Sequence, residues 1–517
     1  MKAFAELFAE LESQKNKGKV AALVRFFEQA EPEDAAWALH LLNEGKSPAR
    51  ISGARMREAV SLSTGLPLWL IEESYAMVGD LAETCTLLLR SPGQTEKPLH
   101  HWISVLAELK ALPTEEQTDR IVELWQTIPQ SQLFVFNKLM TGGFRVGIAR
   151  GLISQALAQV LGRPADEVLG HLMGEWTPSE AAWQALKSGD SGYQGQPYPF
   201  FLATTWEGSE EAVNHFQIEY KLDGIRAQLV KRGDTLTLWS RGEECIDQAF
   251  PDILSKAQSI EVDCVLDAEL VVLQDGQVGS FNALQKRLGR KKPSAKIQAE
   301  LPASLVVYDV LEENGQDLRS QPLLQRRRRL EKLTHPYLLS ESLRVRDWDE
   351  VEELRQNARA RRAEGVMIKR LDSPYRVGRK KGDWFKFKLD PLSLDVVLMY
   401  GQAGHGNRAN LFSDYTLGVW QDEQLVPVAK AYSGLTRSEM EAVDKWIKAN
   451  TLERFGPVRQ VPPELVFELG FEGIQESTRH KSGIAMRFPR ILRWRQDKPA
   501  SEASTLQDAQ ALLQEYG

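Results

Sequence analysis

The run Glu219-Tyr220-Lys221-Leu222-Asp223-Gly224-Ile225-Arg226 constrains the fold more than any other stretch, because Asp223-Gly224 separates two segments that read as strands. After the pair, Ala227 and Leu229 alternate with Gln228 and Val230. The plainest structural reading is a hairpin with Asp223-Gly224 as its turn. A chemical reading is compatible with it, since the run places one lysine beside an acid, a glycine and an arginine. An amine attacks phosphorus only as the neutral base, and a free lysine, with a pKa of about 10.4, is almost wholly protonated at neutral pH. Nearby cations and partial burial both disfavour the ammonium form. Arg226, with Lys386 and Lys388 further along, is a candidate for that field, and Gly224 would let the backbone pass close to a ligand without a Cβ in the way.

The spacing K-x-D-G-x-R resembles the nucleotidyl-attachment motif of the covalent nucleotidyltransferases: ATP-dependent DNA ligases, RNA ligases and mRNA capping enzymes. Further segments follow in that superfamily's order: Ser240-Arg241-Gly242, Leu266-Asp267-Ala268-Glu269-Leu270, Leu305-Val306-Val307-Tyr308-Asp309-Val310, Glu364-Gly365-Val366-Met367-Ile368-Lys369 and Trp384-Phe385-Lys386-Phe387-Lys388. The resemblance covers most of residues 200 to 500 and implies roles for them. Lys221 would become joined to AMP, and Arg241 would approach the ribose or the nick phosphate. Glu269 and Glu364 would be metal ligands, with Glu269 alternatively on the ribose. Tyr308 would stack on adenine where many relatives carry phenylalanine. Arg226, Met367, Lys386 and Lys388 would complete the nucleotide site, the two lysines also acting in catalysis. Glu219 would accept from the adenine amino group, which guanine replaces with a carbonyl, and so favour ATP over GTP.

Each segment also has a plain structural reading. Asp267 and Glu269 alternate with apolar residues, as on any strand with one face in water, and Lys386 and Lys388 do the same. Tyr308 sits in an apolar run typical of a core. These readings would all have to hold at once, at sites in the right order, to displace the chemical one.

At 517 residues the chain has room for two to four domains, and 42% hydrophobic with 26% charged residues is ordinary for a globular protein. No stretch approaches about 18 uncharged apolar residues, and the opening Met1-Lys2-Ala3-Phe4-Ala5-Glu6 lacks an unbroken apolar region; a cytoplasmic protein without membrane association is expected. Cys85, Cys245 and Cys264 are scattered and odd in number, which leaves no four-cysteine zinc site of the kind NAD-dependent DNA ligases carry. A net charge of −7 is the wrong sign for a simple nucleic-acid binder. Contact faces matter more than totals, and Lys286-Arg287, Arg290-Lys291-Lys292, Arg326 through Arg329 and Arg376 through Lys388 are basic clusters. The four-arginine run lies in a helical stretch, so its members cannot all face one ligand.

Three parts are expected, giving a multidomain α+β chain: an all-α domain over 1–195, an adenylation domain with antiparallel sheets over 196–390, and an OB-fold β-barrel over 391–517. Lys19 to Phe27 has helical spacing, Pro32-Glu33-Asp34 starts a segment that stops at Gly45, and further helices run through Trp102, Ile121 and Leu152. Asn137 through Gly147 resembles the signature of the helical DNA-binding domain of larger ATP-dependent DNA ligases, although Gly142-Gly143 could simply end a helix. Ser188 through Pro199 reads as a linker. Asp395–Tyr400, Tyr415–Trp420 and Glu464–Leu469 read as barrel strands. Near the end, Arg495-Gln496-Asp497-Lys498 resembles the sixth motif, whose Arg495 and Lys498 would orient the pyrophosphate leaving group.

The resemblance as a whole implies an ATP-dependent DNA ligase of the bacterial type with a helical N-terminal DNA-binding domain. ATP would be the adenylate donor, Mg²⁺ the metal with Mn²⁺ as a substitute, and nicked duplex DNA the partner of a monomer. An RNA ligase or capping enzyme shares the core motifs, and a noncatalytic nucleic-acid binder with a degenerate core is the other reading.

Overall fold

The structure, a computed structural model, describes every residue except 45–46, 145–147, 174–175, 190–194, 243, 275, 289, 291 and 405–410; for 44 and 166 only the backbone is described. The helix stop at Gly45, the signature residues Arg145 to Gly147, linker residues 190–194 and Lys291 of one basic cluster therefore lie outside the described residues. The chain forms two compact units: Met1–Leu68 with Cys85–Leu389, and Trp69–Thr84 with Asp390–Gly517.

In the first unit, helices lead as far as Ser188. Helix Asn16–Gln29 covers the Lys19 to Phe27 stretch and buries Ala22, Leu23, Phe26 and Phe27, the apolar stripe its spacing predicts. Phe4 meets Phe26 and Phe144 with ring centroids 6.1 Å apart. Helix Leu133–Thr141 turns Asn137 inward, where it accepts from Trp125 Nε1 at 2.9 Å and donates to Thr86 Oγ1 at 3.0 Å. Gly142, at φ +78°, ends that helix by donating its N–H to the Lys138 carbonyl.

Two sheets follow. The first has the order β5-β4-β2-β3, built from β2 (Ile225–Arg232), β3 (Thr235–Ser240), β4 (Cys264–Gln274) and β5 (Ala303–Glu313). In the second, β6 (Ala363–Arg370) lies between β1 (Phe216–Leu222) and β7 (Trp384–Lys388). All these pairings are antiparallel, as expected, with short parallel strands added at Leu338–Leu339 and Thr204–Thr205.

Asp223-Gly224 is not a hairpin turn. β1 pairs with β6, whereas β2 pairs with β3 and β4, so the dipeptide carries the chain from one sheet into the other. Each strand has a core of its own: β1 packs Phe216 and Ile218 with Val366 and Ile368, and β2 packs Ala227 and Leu229 with Leu266, Ala268 and Leu270. The crossing runs tight against β4, since a Cβ on Gly224 would lie 2.5 Å from the Leu270 carbonyl oxygen and 2.7 Å from Glu269 Cγ. Glycine is therefore demanded by the sheet itself, whatever ligand also approaches.

The second unit contains the barrel. Strand β8 (Leu392–Ala403) lies between β9 (Phe412–Gln421) and β11 (Val466–Phe471), with β10 (Gln424–Ala431) beyond β9 and β12 (Arg490–Trp494) beyond β11. The Ile491 N–H donates to the Ser433 carbonyl at 3.0 Å and brings β12 back to the end of β10. That closure is the five-stranded OB arrangement. Val396, Leu398, Leu417, Val419, Phe467 and Leu469 fill its interior, under helix Arg437–Ala449 with Val443 and Ile447. Among the described residues no helix is long and apolar enough to cross a membrane.

Candidate active site

Register builds one wall of the site. Met367 stands directly opposite Glu219 on one side and Lys386 on the other, and Lys369 stands opposite Gln217 and Trp384. Because side chains alternate along a strand, Gln217, Glu219, Lys221, Met367, Lys369, Trp384, Lys386 and Lys388 share one face. Ile218, Tyr220, Val366, Ile368, Phe385 and Phe387 take the other and pack as a core. Lys221 Nζ donates to Glu364 Oε2 at 2.8 Å, and Lys388 Nζ lies 3.2 Å from the same oxygen. Gly365, at φ +141°, carries the strand past β7 so closely that a Cβ would fall 2.2 Å from the Phe387 carbonyl oxygen. Glu219 is buried, accepting from Gln217 Nε2 at 2.5 Å and from Lys369 Nζ at 2.5 Å.

The facing wall comes from the first sheet. Asp267 is fully buried and accepts from Arg226 Nε at 3.1 Å and Nη2 at 2.7 Å, from Tyr375 Oη at 2.7 Å and from Tyr308 Oη at 3.1 Å. Arg226 also donates to the Phe201 carbonyl. The expectation that Asp267 would face water on a half-exposed strand thus fails, because that face is turned toward the second sheet. Tyr308 is the extra residue of a bulge, since Asp267 pairs with Asp309 and Ala268 with Val307. Its ring lies 4.3 Å from Lys369 Nζ, so the two walls meet there rather than around a core tyrosine.

Electrostatics follow from this arrangement. Burial pushes the Glu269 carboxyl up to about 7, against the pull of Lys221 and Arg226, with the Glu364 and Asp267 charges adding to the rise. Burial also opposes the charge on Glu364, but Lys221 and Lys388 outweigh it and hold that carboxyl well below its usual range. Lys386 is lowered by burial first and then by Lys388, Arg379 and Lys221. An uncompensated cationic field around Lys221 is not what the geometry contains: Arg226 is paired with Asp267, and Glu364 lies between Lys221 and Lys388.

The Glu269 shift has a consequence for stability. Folding lets this carboxyl keep its proton to about pH 7, whereas the unfolded group releases it near 4.5, so the folded state binds more protons between those values. Its contribution is therefore full below 4.5 and lost as pH rises toward 7. Glu269→Gln should flatten this slope, raising stability at pH 8 relative to pH 5 by about 2 kcal/mol, the part of the shift that falls within that window. Urea titrations of both proteins at the two pH values check it, and parallel slopes would contradict it.

The remaining candidates are spread more widely. Arg241 is exposed at the end of β3, its N–H donating to the Arg226 carbonyl at 2.9 Å. In the second unit Asp395 accepts from Arg495 Nη1 at 3.0 Å and Lys498 Nζ at 2.7 Å, and Asp497 accepts from Arg495 Nη2 at 2.9 Å. Two of the basic clusters contribute buried structural arginines, while Lys286 and Arg328 beside them stay exposed. Arg326 is fully buried in a two-point pair with Asp309, each contact 2.9 Å, and Arg287 is fully buried on Asp252 at 2.7 Å. Sequence reasoning missed Lys369, Gln217, Asp267, Arg327 and Tyr375 as site residues. Strand alternation from Met367 and Glu219 points to Lys369 and Gln217, whereas Tyr375 lies outside any helix or strand and leaves no periodic signal.

A lysine at the seam of two antiparallel sheets, carboxylates from both sheets around it, and an OB barrel in the following unit define the covalent nucleotidyltransferase class. Family models match along nearly the whole chain: the DNA ligase N terminus over residues 1–158, the ATP dependent DNA ligase domain over 200–388 and the ATP dependent DNA ligase C terminal region over 408–498. The chain belongs to the ATP-dependent DNA ligase family. It is 31% identical to a probable DNA ligase of Koribacter versatilis (strain Ellin345), over 97% of this chain and 94% of that one. With DNA ligase 1 of Korarchaeum cryptofilum (strain OPF8) it shares 28% identity over 98% and 97% of the two chains. A solved structure named Pmar-Lig_PreS3 matches its fold with a TM-score of 0.61 at 15% identity, covering 95% of this chain and 99% of that one.

Proposed function

We propose that this enzyme seals nicks in duplex DNA by three in-line displacements at phosphorus, with Lys221 as the residue that carries AMP. Lys221 attacks the α-phosphorus of ATP, forming a P–N bond as pyrophosphate leaves; the adenylate passes to the 5′-phosphate of the nick, and the 3′-hydroxyl then displaces AMP. The observation that carries this reading is the position of the Lys221 amine, at the crossing between sheets and 2.8 Å from Glu364. Such chemistry rests on positioning and charge neutralisation, which accounts for Lys386 and Lys388 on the same face. Tyr308 and Met367 offer surfaces to the base, Glu219 an acceptor to its amino group, and Arg226 and Arg241 donors toward the ribose and phosphate.

Glu269 and Glu364 suit Mg²⁺, with Mn²⁺ as a substitute, as hard oxygen donors that feel each other's charge. The described residues contain no cluster of three His, Cys, Asp or Glu that could hold a metal, so the ion would keep the rest of its shell as water and phosphate oxygens. Bound there, Mg²⁺ would neutralise charge on the phosphoryl group in flight.

We further propose that residues 1–195 grip DNA, 196–390 perform adenylation and 391–517 supply Arg495 and Lys498 to the pyrophosphate, in a cytoplasmic monomer. Lys498→Ala should slow enzyme adenylation about 100-fold or more while leaving closure of a pre-adenylated nick within threefold, because pyrophosphate is present only in the first step. Equal losses in both steps would remove that assignment. The substrate is tested by supplying nicked duplex DNA and nicked RNA with ATP: sealing of DNA is expected, and sealing of RNA alone would move the enzyme to the other branch of the superfamily.

A further inference from the structure

We propose that Lys369 is the positioning residue for base selection: its ammonium, with Gln217 beside it and Arg327 behind, holds the Glu219 carboxylate in place as an acceptor for a purine's exocyclic amino group. This rests on the reading of Glu219 as the residue that meets adenine.

Lys369 is 1% exposed and Glu219 2%, and their charged ends are 2.5 Å apart. The Lys369 ammonium is enclosed on its other sides by aromatic faces, 4.3 Å from the Tyr308 ring centroid and 4.5 Å from that of Trp384. Gln217 Nε2 takes the other carboxylate oxygen at 2.5 Å. Arg327 lies 3.7 Å from that oxygen through Nη1, an atom that is buried and makes no hydrogen bond, while its Nε and Nη2 are anchored on Glu331 and the Ser340 carbonyl at 2.8 Å each. The second arginine of the four-arginine run thus belongs to this network. Each Glu219 oxygen gives one lone pair to a neighbour and keeps another, enough for a base amino group.

Removing Lys369 leaves a carboxylate buried without its closest counter-charge, which is costly unless the group takes a proton. A neutral carboxyl carries an O–H donor, and that donor suits the carbonyl of guanine. Loss of Lys369 should therefore relax the choice of base, an effect that mere loosening of the strand would not produce.

The test measures covalent labelling of the full chain by α-labelled ATP and by α-labelled GTP, read as the ratio of the two kcat/KM values. Lys369→Met should lower the ATP-to-GTP ratio at least tenfold, and Lys369→Arg should keep it within threefold. In a Glu219→Gln background, adding Lys369→Met should leave the ratio unchanged; this uncharged pair carries the test if Lys369→Met alone does not fold. A ratio unaltered by Lys369→Met, or one that falls further in the Glu219→Gln background, overturns the proposal. A ratio retained by Glu219→Gln alone overturns it through the base contact, whereas a wild-type chain that takes no label from either nucleotide points to failure of the ligase mechanism itself.

Discussion

Lys221→Ala should abolish covalent AMP transfer, a loss of more than about 10⁴-fold, while leaving the fold intact. The side chain is partly exposed and its Glu364 contact is shared with Lys388, so removing it leaves neither a cavity in a core nor an isolated buried charge. Of the described primary amines on the same strand face, Lys388 pairs with the same glutamate, Lys369 is buried against Glu219, and Lys386 stands opposite Met367 on β7. None of them follows β1 into the Asp223-Gly224 crossing, where an in-line approach would be set by backbone. Single-turnover labelling with ATP checks the loss, and closure of a pre-adenylated nick by the same variant should persist well above background. A labelled adduct that survives in Lys221→Ala would place the nucleophile elsewhere.

Asp267→Ala should destabilise the first unit by about 3–5 kcal/mol, the range for breaking a buried ion pair from one side. Its carboxylate is fully buried and receives both nitrogens of the Arg226 fork together with the hydroxyls of Tyr308 and Tyr375. Taking it away strands a guanidinium between two sheets and releases the ring proposed to support adenine. Adenylation should fall with stability, and Asp267→Asn, which keeps the shape and two of the contacts but not the charge, should lie between. Urea unfolding is the measurement. A loss below about 1 kcal/mol for the alanine variant would show that Arg226 finds another partner and that the Asp267 network does not tie the two sheets together.

Much of this site was legible because its chemistry lies in short strands. Once Glu219 and Lys221 are placed on one strand and Lys386 and Lys388 on another, alternation puts each pair on one face of its own strand, and the register then sets Glu219, Met367 and Lys386 side by side. What alternation does not contain is which strand pairs with which. Asp223-Gly224 has the residues of a hairpin turn, yet the apolar faces on its two sides pack into separate cores and the chain crosses between sheets. Long-range charge pairing was hidden for the same reason. Arg326 and Arg287 look like surface cations in sequence because Asp309 and Asp252 lie 17 and 35 residues away. Bulged Tyr308 was recognised by its motif, while its hydroxyl's role in the Asp267 network depends on a register shift that no local pattern records.

The most direct test of the central claim is mass spectrometry of the intact chain after incubation with ATP and Mg²⁺, followed by mapping of the modified peptide. The account predicts a single addition of one AMP, acid-labile as a P–N bond should be, on Lys221, and its removal when pyrophosphate is added. An unmodified chain, or AMP found on Lys386, Lys388 or any other residue, would contradict it.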